Sequence, residues 1–400
     1  MISFEEALEK ILAAMTPFPV VEIPFEQSPG LFLGEDLVAP EAIPFADISA
    51  VDGYAVRLSG ESGQENTPGA FRVVGTVRAG ENPEWSLNPG EAARIFTGAL
   101  LPGSSDAVVM QEDIRIEGDR LFTEDPIRPG DNIRFAGEDL KAGEKALSAG
   151  TRISPPVVGL MASMGKTRIR ARRPPEIAIL ATGNELVDPR DPIRRGTLRD
   201  SNTASLKACL SLMGIPASSS RVPDDRDRMQ EALASDLEHH DILFVSGGVS
   251  VGDYDYSREV LAELGVREVF WKIRMKPGKP VYLGVRGKTV VFGIPGNPVS
   301  SLVVFQTLIR PALIHAMGGE ARPLLLEAVS ETVLRKKPGR TEFVRAIAAT
   351  RDQRLTVVPV GAQDSHIMSG LAQANCLIRL EEDRGTVQPR EKVSIELLSW

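Results

Sequence analysis

The stretch DILFVSGGVSVGDYDY, residues 241–256, decides the fold of this chain. Its first six residues are apolar and β-branched enough to predict a short buried strand, which ends at two glycines. Two more loops rich in Gly and Pro, KPGKP at 276–280 and IPGNP at 294–298, also lie beside apolar runs. Three such loops predict a sheet rim whose exposed backbone N–H groups bind an anion. Asp255 adds a carboxylate, so a phosphorylated ligand with a divalent cation is expected.

Around this stretch, the pattern of residues 173–319 is an alternation of strands and helices. Strands are predicted at 176–181, 217–222, 241–246 and 268–274, with a hairpin at 280–285 and 289–293. Helices are predicted at 201–213, 227–239, 257–264 and 299–317. Such alternation indicates a mostly parallel sheet covered on both faces. Ligands of these sheets bind beyond the carboxyl ends of the strands, where the loops at 182–183, 246–248 and 295–297 should meet.

The remaining segments predict a multidomain α/β plus β protein. Helical patterns near both ends of a β-rich stretch indicate a β-domain, residues 49–137, inserted into a discontinuous helical domain of residues 1–48 and 138–172. In the first helix, Ser3 is the expected N-cap. The basic run 168–175 is interpreted as a linker to the α/β domain, 173–319. Alternating runs in 320–400 predict a small C-terminal sandwich or barrel.

Composition excludes several classes of protein. A length of 400 residues predicts two to four domains. A net charge of -8 argues against a nucleic-acid partner, since counterion release needs a basic face. Cys209 and Cys376 lie far apart without other metal-ligating residues nearby, so they are expected to be buried thiols. The acidic N-terminus does not resemble a signal peptide, and no uninterrupted apolar run is long enough to span a membrane. We therefore expect a cytoplasmic protein.

Familiar catalytic motifs are missing from the sequence. No G-x-G-x-x-G follows the first α/β strand, and neither G-x-x-x-x-G-K-[ST] nor G-x-S-x-G occurs. The four histidines are scattered. The candidate functional groups that remain are carboxylates, lysines and backbone amides. Chemistry by those groups is typically the positioning and electrostatic stabilisation of a phosphoryl centre, often with Mg²⁺.

Each candidate residue also has a plain structural interpretation. Asp52 can belong to a surface turn, and the hydroxyl of Thr97 can stabilise a turn before Gly98. Glu185 can begin a helix, and Asp225 can cap the helix that follows it. Lys272 can lie on a solvated strand edge.

Six blocks of sequence resemble the signature blocks of the molybdopterin molybdenumtransferases, the family of MoeA and the gephyrin E-domain. They are DISAVDGYAVR (47–57), RIFTGALLPG (94–103), TGNEL (182–186), SGGVSVGDYDY (246–256), KPGKP (276–280) and PGNP (295–298). The resemblance spans nearly the whole chain. It implies a homodimer of four-domain subunits, with an active cleft between the α/β domain of one and the helical and β domains of the other. It also implies Mg²⁺-dependent insertion of molybdate into adenylylated molybdopterin, with release of AMP.

The resemblance also implies roles for individual residues. The residues implied to be catalytic are Asp52, Thr97, Glu185, Asp225, Asp255, Lys272, Lys276 and Lys279. The residues implied to bind substrate are Thr182, Gly183, Ser246, Gly247, Gly248, Ser250, Gly278, Pro295, Gly296 and Asn297. The lysines and glycine amides would hold phosphate or molybdate oxygens. Asp255 and Glu185, with Asp52 of the partner subunit, would hold Mg²⁺. Asp47, Ser365 and Arg345 remain possible cleft-rim residues, and Asn184 stands where the family commonly has Asp.

Two alternative functions stay open. One is a molybdopterin adenylyltransferase, which has the same α/β fold but is usually little more than that domain. The other is a non-enzymatic scaffold like animal gephyrin. The lack of a long linker or partner domain in this sequence argues against that alternative. A companion adenylyltransferase and molybdoenzyme maturation factors are conceivable partners.

Overall fold

The computed structural model describes residues 1–59, 70–247 and 256–398. The chain forms two compact units. The main unit contains residues 1–35, 149–158 and 168–400, and the inserted unit contains residues 36–148 and 159–167. The β-domain predicted at 49–137 lies inside the inserted unit, whose boundaries are wider.

Helix α1 (Phe4–Ala14) opens the main unit. The Ser3 hydroxyl accepts a hydrogen bond from the backbone N–H of Glu6 at 3.0 Å. This is the predicted N-cap, and a cap of this kind stabilises a helix by about 1 kcal/mol. The helix buries Phe4, Ala7 and Ile11. Strand β1 (Val20–Pro24) and a 3-10 turn (Phe25–Gln27) follow.

The inserted unit is built on a six-stranded sheet. The strands of the whole unit are β2 (Leu37–Val38), β3 (Ile48–Ser49), β4 (Gly53–Val56), β5 (Ala70–Val77), β6 (Glu91–Ile95), β7 (Ala107–Met110), β8 (Ile114–Glu117), β9 (Arg120–Thr123), β10 (Ile133–Arg134) and β11 (Lys145–Leu147), with a 3-10 turn at Gln111–Asp113. The sheet order is β7-β4-β6-β5-β9-β8, and β3–β10 and β2–β11 form two short ladders. Strand β4 sends Tyr54 and Val56 into one apolar cluster and Ala55 into another, because side chains alternate along a strand. Burial on both faces fixes the position of β4.

The interpretation of residues 168–175 as a linker is wrong. Helix α2 (Pro155–Ser163) is followed by strand β12 (Arg168–Arg172), which pairs antiparallel with β1 over five residues. Ile169 and Ala171 of β12 are buried, while the arginines between them point outward. An Arg–Glu ion pair joins Arg168 to Glu22 at 2.7 Å. The basic composition therefore concealed a two-residue alternation that is typical of a half-buried strand.

Residues 177–294 form the predicted α/β sheet. Its elements are β13 (Ile177–Thr182), β14 (Leu186–Val187), β15 (Leu198–Arg199), α3 (Ser201–Ser211), β16 (Ala217–Val222), α4 (Arg226–His239), β17 (Ile242–Ser246), α5 (Ser257–Glu263), β18 (Arg267–Trp271), β19 (Met275–Lys276), β20 (Tyr282–Arg286) and β21 (Thr289–Ile294). The strand order is β16-β13-β17-β21-β20-β18. The first four strands are parallel, and β20 is antiparallel to both of its neighbours. The predicted α/β fold class is confirmed.

A long apolar helix packs in the core of the main unit. It runs through α6 (Pro298–Val304), a π turn (Phe305–Ile309) and α7 (Arg310–Ala316), and we call it the core helix. By length and composition it could cross a membrane, with a mean hydropathy of 1.4, but 83% of that window is buried inside the protein. Such burial is typical of a core helix in a globular fold.

The C-terminal part of the main unit is a closed five-stranded barrel. Its elements are β22 (Leu325–Ser330), β23 (Thr341–Arg351), β24 (Arg354–Pro359), α8 (Met368–Gln373), β25 (Cys376–Leu380) and β26 (Lys392–Leu397). The strands pair in the order β23-β24-β22-β26-β25, and β25 returns to β23 to close the ring. Strand β19 adds to β23 from outside. Closure leaves the barrel without free edges, so the barrel alternative of the prediction is confirmed.

Both cysteines have the predicted environment. Cys209 and Cys376 are free and buried. Burial raises the pKa of each thiol to about 11, so neither is a thiolate at neutral pH.

The core helix meets the barrel through a buried carboxylate, which gives a testable pH effect. Gln306 donates a hydrogen bond from Nε2 to Oε1 of Glu396 at 2.7 Å, and Glu396 is 5% exposed. Burial raises the pKa of Glu396, so the folded state retains its proton to higher pH than the unfolded state. The stabilising contribution of this proton is complete below the ordinary glutamate pKa and is lost as pH rises through the raised value.

We therefore expect Glu396→Gln to be more stable than the wild type at pH 8, by roughly 1 kcal/mol for a desolvated group. The advantage should shrink toward pH 4, because wild-type Glu396 is then protonated. Urea unfolding at several pH values measures both. Glu327→Gln, on the exposed side of β22, is the matched control and should show no such trend. A gain that is independent of pH would contradict this account.

Candidate functional site

The carboxyl ends of three parallel strands bring three separate loops together. Ala181 of β13 is in register with Ser246 of β17, and Ser246 is in register with Ile294 of β21. The residues at and just beyond the ends of these strands, 182–183, 246–247 and 295–297, therefore share one edge of the sheet, which we call the glycine rim. The predicted convergence of these loops is confirmed for their described residues. Their roles in binding remain predictions.

Two glycines of the rim have backbone conformations that disfavour other residues. Gly247 has a φ of +89°, and a Cβ there would lie 2.7 Å from the carbonyl oxygen of Thr182. Gly183 has a φ of +144°, and its Cβ would lie 2.6 Å from Oε2 of Glu185. At Gly247 both the backbone contact and the positive φ favour glycine, whereas at Gly183 the positive φ favours it, since the Glu185 side chain could move. The carboxylate of Glu185 thus lies directly against the loop after β13.

The loop after β13 is also tied to the loop after β16. The backbone N–H of Asn184 donates to Oδ2 of Asp224 at 3.1 Å, and the backbone N–H of Asp224 donates to Oδ1 of Asn184 at 3.2 Å. Asp225 next to it accepts a hydrogen bond from the N–H of Arg228 and caps α4. The structural interpretation of Asp225 therefore holds, and its catalytic role stays a prediction. Glu185 does not begin a helix.

Asn202 is a rim residue that the sequence analysis missed. Its Nδ2 donates to the carbonyl oxygen of Gly296 at 2.8 Å and to the hydroxyl of Ser246 at 3.2 Å. A polar residue in the first turn of the helix that connects β13 to β16 was the available signal. Thr182 and Ser246 are buried beside it, at 4% and 3% exposure.

The rim also contains unused donors. Within residues 1–59, 70–247 and 256–398, the N–H groups of Gly296 and Asn297 donate no hydrogen bond to the chain. Both residues are exposed, whereas Pro295 is buried. They directly precede the core helix, whose N-terminus carries a partial positive charge. This arrangement is suited to an anion.

The three predicted lysines have different surroundings. Lys272 has a φ of +67°, and its Nζ lies 3.5 Å from the centre of the Trp271 ring. Lys276 lies 3.6 Å from Oε2 of Glu342 on the barrel. Lys279 is exposed. The structure therefore gives Lys272 and Lys276 separate partners, an aromatic ring and a carboxylate.

Gly278 fixes the loop that carries Lys276 and Lys279. Its φ is +107°, and a Cβ there would lie 2.7 Å from Cγ2 of Val304 on the core helix. The loop therefore packs tightly on the helix. This contact and the positive φ favour glycine here, and the role of Gly278 in substrate binding stays a prediction.

Asp52 and Thr97 are joined in the inserted unit by two hydrogen bonds, which we call the latch. Strands β4 and β6 are antiparallel with Gly53 opposite Ile95, so the residues flanking them are neighbours. The backbone N–H and the hydroxyl of Thr97 both donate to Oδ1 of Asp52 at 2.8 Å. The backbone N–H of Thr97, then its hydroxyl, lowers the pKa of Asp52 below its usual range, so this carboxylate is ionised. Asp52 is therefore a fixed negative charge.

Of the possible cleft-rim residues, Arg345 has a structural role. It is 1% exposed and donates to the carbonyl oxygens of Ile367, Ala362 and Asp364. Ser365 in that loop accepts a hydrogen bond from the N–H of Val299. Asp47 accepts one from the N–H of Ala136.

Three predicted residues, Gly248, Ser250 and Asp255, lie outside the described residues. Among those that are described, no group of three or more His, Cys, Asp or Glu side chains could hold a metal ion. Glu185 belongs to the main unit and Asp52 to the inserted unit. Neither unit alone therefore supplies a complete metal site from its described side chains.

Comparison with known proteins defines the class of the chain. Three family models match it in sequence: the MoeA N-terminal region (domain I and II) at residues 2–165, a probable molybdopterin binding domain at 178–315, and the MoeA C-terminal region (domain IV) at 327–398. A Pyrococcus horikoshii structure described as a molybdopterin biosynthesis moeA protein superposes with a TM-score of 0.82 and 27% identity, covering 100% of both chains. The chain thus has the multidomain organisation of MoeA proteins.

Curated relatives narrow this class to a family. A Haemophilus influenzae protein named molybdopterin molybdenumtransferase is 35% identical, over 99% of this chain and 98% of that protein. A Staphylococcus aureus protein of the same name is 33% identical, over 95% of this chain and 91% of that protein. The chain belongs to the molybdopterin molybdenumtransferase family.

Proposed function

We propose that this protein is a transferase of molybdenum cofactor biosynthesis that inserts molybdate into adenylylated molybdopterin and releases AMP in a Mg²⁺-dependent reaction. Family membership supports the general activity. The observation that carries the detailed proposal is the glycine rim, where the N–H groups of Gly296 and Asn297 donate no hydrogen bond to the described residues and stand at the N-terminus of the core helix.

The substrates of this reaction are anions, and the rim offers them donors that are already in place. A phosphate or molybdate oxygen would accept hydrogen bonds from the amides of Gly296 and Asn297, aided by the helix dipole. Lys279, exposed on the loop that Gly278 anchors, would add a mobile positive charge. Donors that need no reorganisation stabilise developing charge most effectively.

The rim also fits a magnesium ion. Proteins usually bind Mg²⁺ through one or two carboxylates together with substrate phosphates, and seldom through a complete protein cage. Glu185 is exposed, lies against Gly183, and forms no ion pair with any residue that the structure describes. We propose that Glu185 and Asp255 hold the ion, with Asp52 contributed by the partner subunit of a homodimer. When bound, Mg²⁺ would offset the charge of the phosphoanhydride.

The roles of the chain's own groups follow from this arrangement. Glu185 would accept hydrogen bonds from the waters of the ion, and the rim amides would orient the oxyanion. Asp52, ionised and held by Thr97, would add a third negative charge beside Glu185 and Asp255. The proposed cellular location is the cytoplasm. An adenylyltransferase that delivers the substrate, and maturation factors that accept the product, are the proposed partners.

The direct test is AMP release by the purified protein from adenylylated molybdopterin, with and without molybdate and Mg²⁺. We expect AMP only when all three components are present. Pyrophosphate release from ATP and molybdopterin would instead indicate an adenylyltransferase. The absence of both activities would favour a scaffold and would overturn the proposal.

Glu185→Gln should shift the magnesium dependence of this assay. We expect the Mg²⁺ concentration for half-maximal rate to rise by about 10- to 100-fold, because loss of a carboxylate near a metal costs affinity of that order. Glu231→Gln, on the exposed side of α4, is the matched control and should leave the titration unchanged. An unaltered magnesium curve for Glu185→Gln would remove Glu185 from the proposed site.

A further inference from the structure

Asn202 connects two of the three loops of the glycine rim through one amide group. The side chain is 9% exposed and lies in the first turn of α3. Its Nδ2 donates to Gly296 in the loop after β21, and to Ser246 at the end of β17. Its Oδ1 is buried and accepts no hydrogen bond from the described residues. The side chain therefore acts on the rim as a donor.

Gly296 depends on this bond for its position. Within the described part of the chain, the hydrogen bond from Asn202 is the one that the Gly296 backbone makes. A Cβ built on Gly296 meets no described atom within 4 Å, so no packing restrains this peptide from that side. Removal of the Asn202 amide would leave the Gly296–Asn297 peptide without the hydrogen bond that its carbonyl accepts from the described residues.

The helix turn that carries Asn202 is itself firmly held. Asp200 accepts a hydrogen bond from the N–H of Thr203 at 3.0 Å and caps α3. Its other carboxylate oxygen lies 3.6 Å from the guanidinium of Arg221, one residue before the end of β16. Asp200 is 4% exposed, so this ion pair is shielded from solvent on its acidic side. The position of Asn202 relative to the sheet is therefore fixed, and its hydrogen bond holds Gly296 relative to the same sheet.

We propose that Asn202 is a positioning residue that orients the Asn297 N–H, which donates no hydrogen bond to the described residues, toward the oxyanion of the substrate. This inference rests on the proposed function of the same rim. Asn202 does not touch the reacting atoms. It acts by holding the carbonyl of Gly296, which fixes the plane of the following peptide and hence the direction of the Asn297 N–H.

The test compares Asn202→Asp and Asn202→Ala with Thr203→Ala. Asp keeps the shape of the side chain and cannot donate in its ionised form, whereas Ala removes the polar group altogether. Thr203 lies on the same helix turn, and its hydroxyl has no hydrogen-bond partner among the described residues, so its loss controls for a change in α3. The two measurements are steady-state AMP release and the NMR order parameter of the Asn297 amide in the ligand-free proteins.

Both Asn202 variants should lower kcat/KM by about tenfold, the effect of one buried hydrogen bond, mainly through a higher KM. They should also lower the NMR order parameter of the Asn297 amide, and Thr203→Ala should do neither. An unchanged order parameter, or lower thermal stability with wild-type kinetics, would overturn the inference. The relaxation measurement requires no substrate, and wild-type turnover in the AMP-release assay tests the proposed function separately. A failure of the function is thereby distinguished from a failure of the inference.

Discussion

Gly247→Ala is expected to lower kcat/KM for AMP release by about 100-fold or more. A methyl group on residue 247 would lie 2.7 Å from the backbone carbonyl of Thr182, and a φ of +89° disfavours any L side chain. The backbone must shift, because a carbonyl cannot rotate away as a flexible side chain can. Displacement of binding groups by about 1 Å costs on the order of 100-fold in rate.

Gly265→Ala provides a matched control for this prediction. Gly265 has a φ of +80°, and a Cβ there meets no described atom within 4 Å. Both substitutions cost the left-handed strain of about 1–2 kcal/mol. Gly247→Ala alone adds the collision at the rim, so only this variant should change the kinetics. Thermal unfolding and steady-state assays of both proteins separate the two effects. If the two variants had equal kcat/KM, close approach at the rim would not matter for the reaction.

Asp52→Asn is expected to reduce kcat by about 100-fold with little loss of stability, an effect of the size found when one preorganised charged or polar group is removed. Asn retains an Oδ1 that accepts both hydrogen bonds from Thr97, so the latch between β4 and β6 persists. What disappears is the negative charge, which the low pKa of Asp52 otherwise maintains. The measurement is AMP release at saturating substrate and Mg²⁺, together with thermal unfolding.

Two further variants complete this experiment. Asp52→Ala removes the latch as well as the charge, and should cost an additional 1–3 kcal/mol or so in stability, since the N–H of Thr97 loses its partner. Asp113→Asn removes an exposed negative charge from the nearby 3-10 turn and should behave as the wild type. Wild-type turnover by Asp52→Asn would mean that Asp52 serves the latch alone.

Much of the fold could be predicted because its signals are local. The strand at 217–222 and the strand at 376–380 lie where the alternation and the apolar runs place them. The cap at Ser3 and the glycines at 183 and 247 also follow from neighbouring residues. Helix α8 was missed, because its six residues carry too short a pattern to reveal a helical period.

The candidate site was only partly predictable. The rim loops follow from the rule that parallel strands place their carboxyl ends at one edge. The partners of its charged residues do not follow from any local rule. Lys276 was expected to bind an oxyanion, yet its ammonium group lies beside Glu342, which is distant in sequence.

The sequence by itself determined the order of the elements, the parallel sheet and the glycine-marked loops, since backbone chemistry and hydrophobic periodicity act over a few residues. Only the tertiary structure decided which distant segments meet. It paired the basic strand β12 with β1, closed the barrel by joining β25 to β23, and placed Asn202 between Ser246 and Gly296. These contacts depend on how whole elements pack, and packing is a property of the assembled core and not of any single stretch of chain.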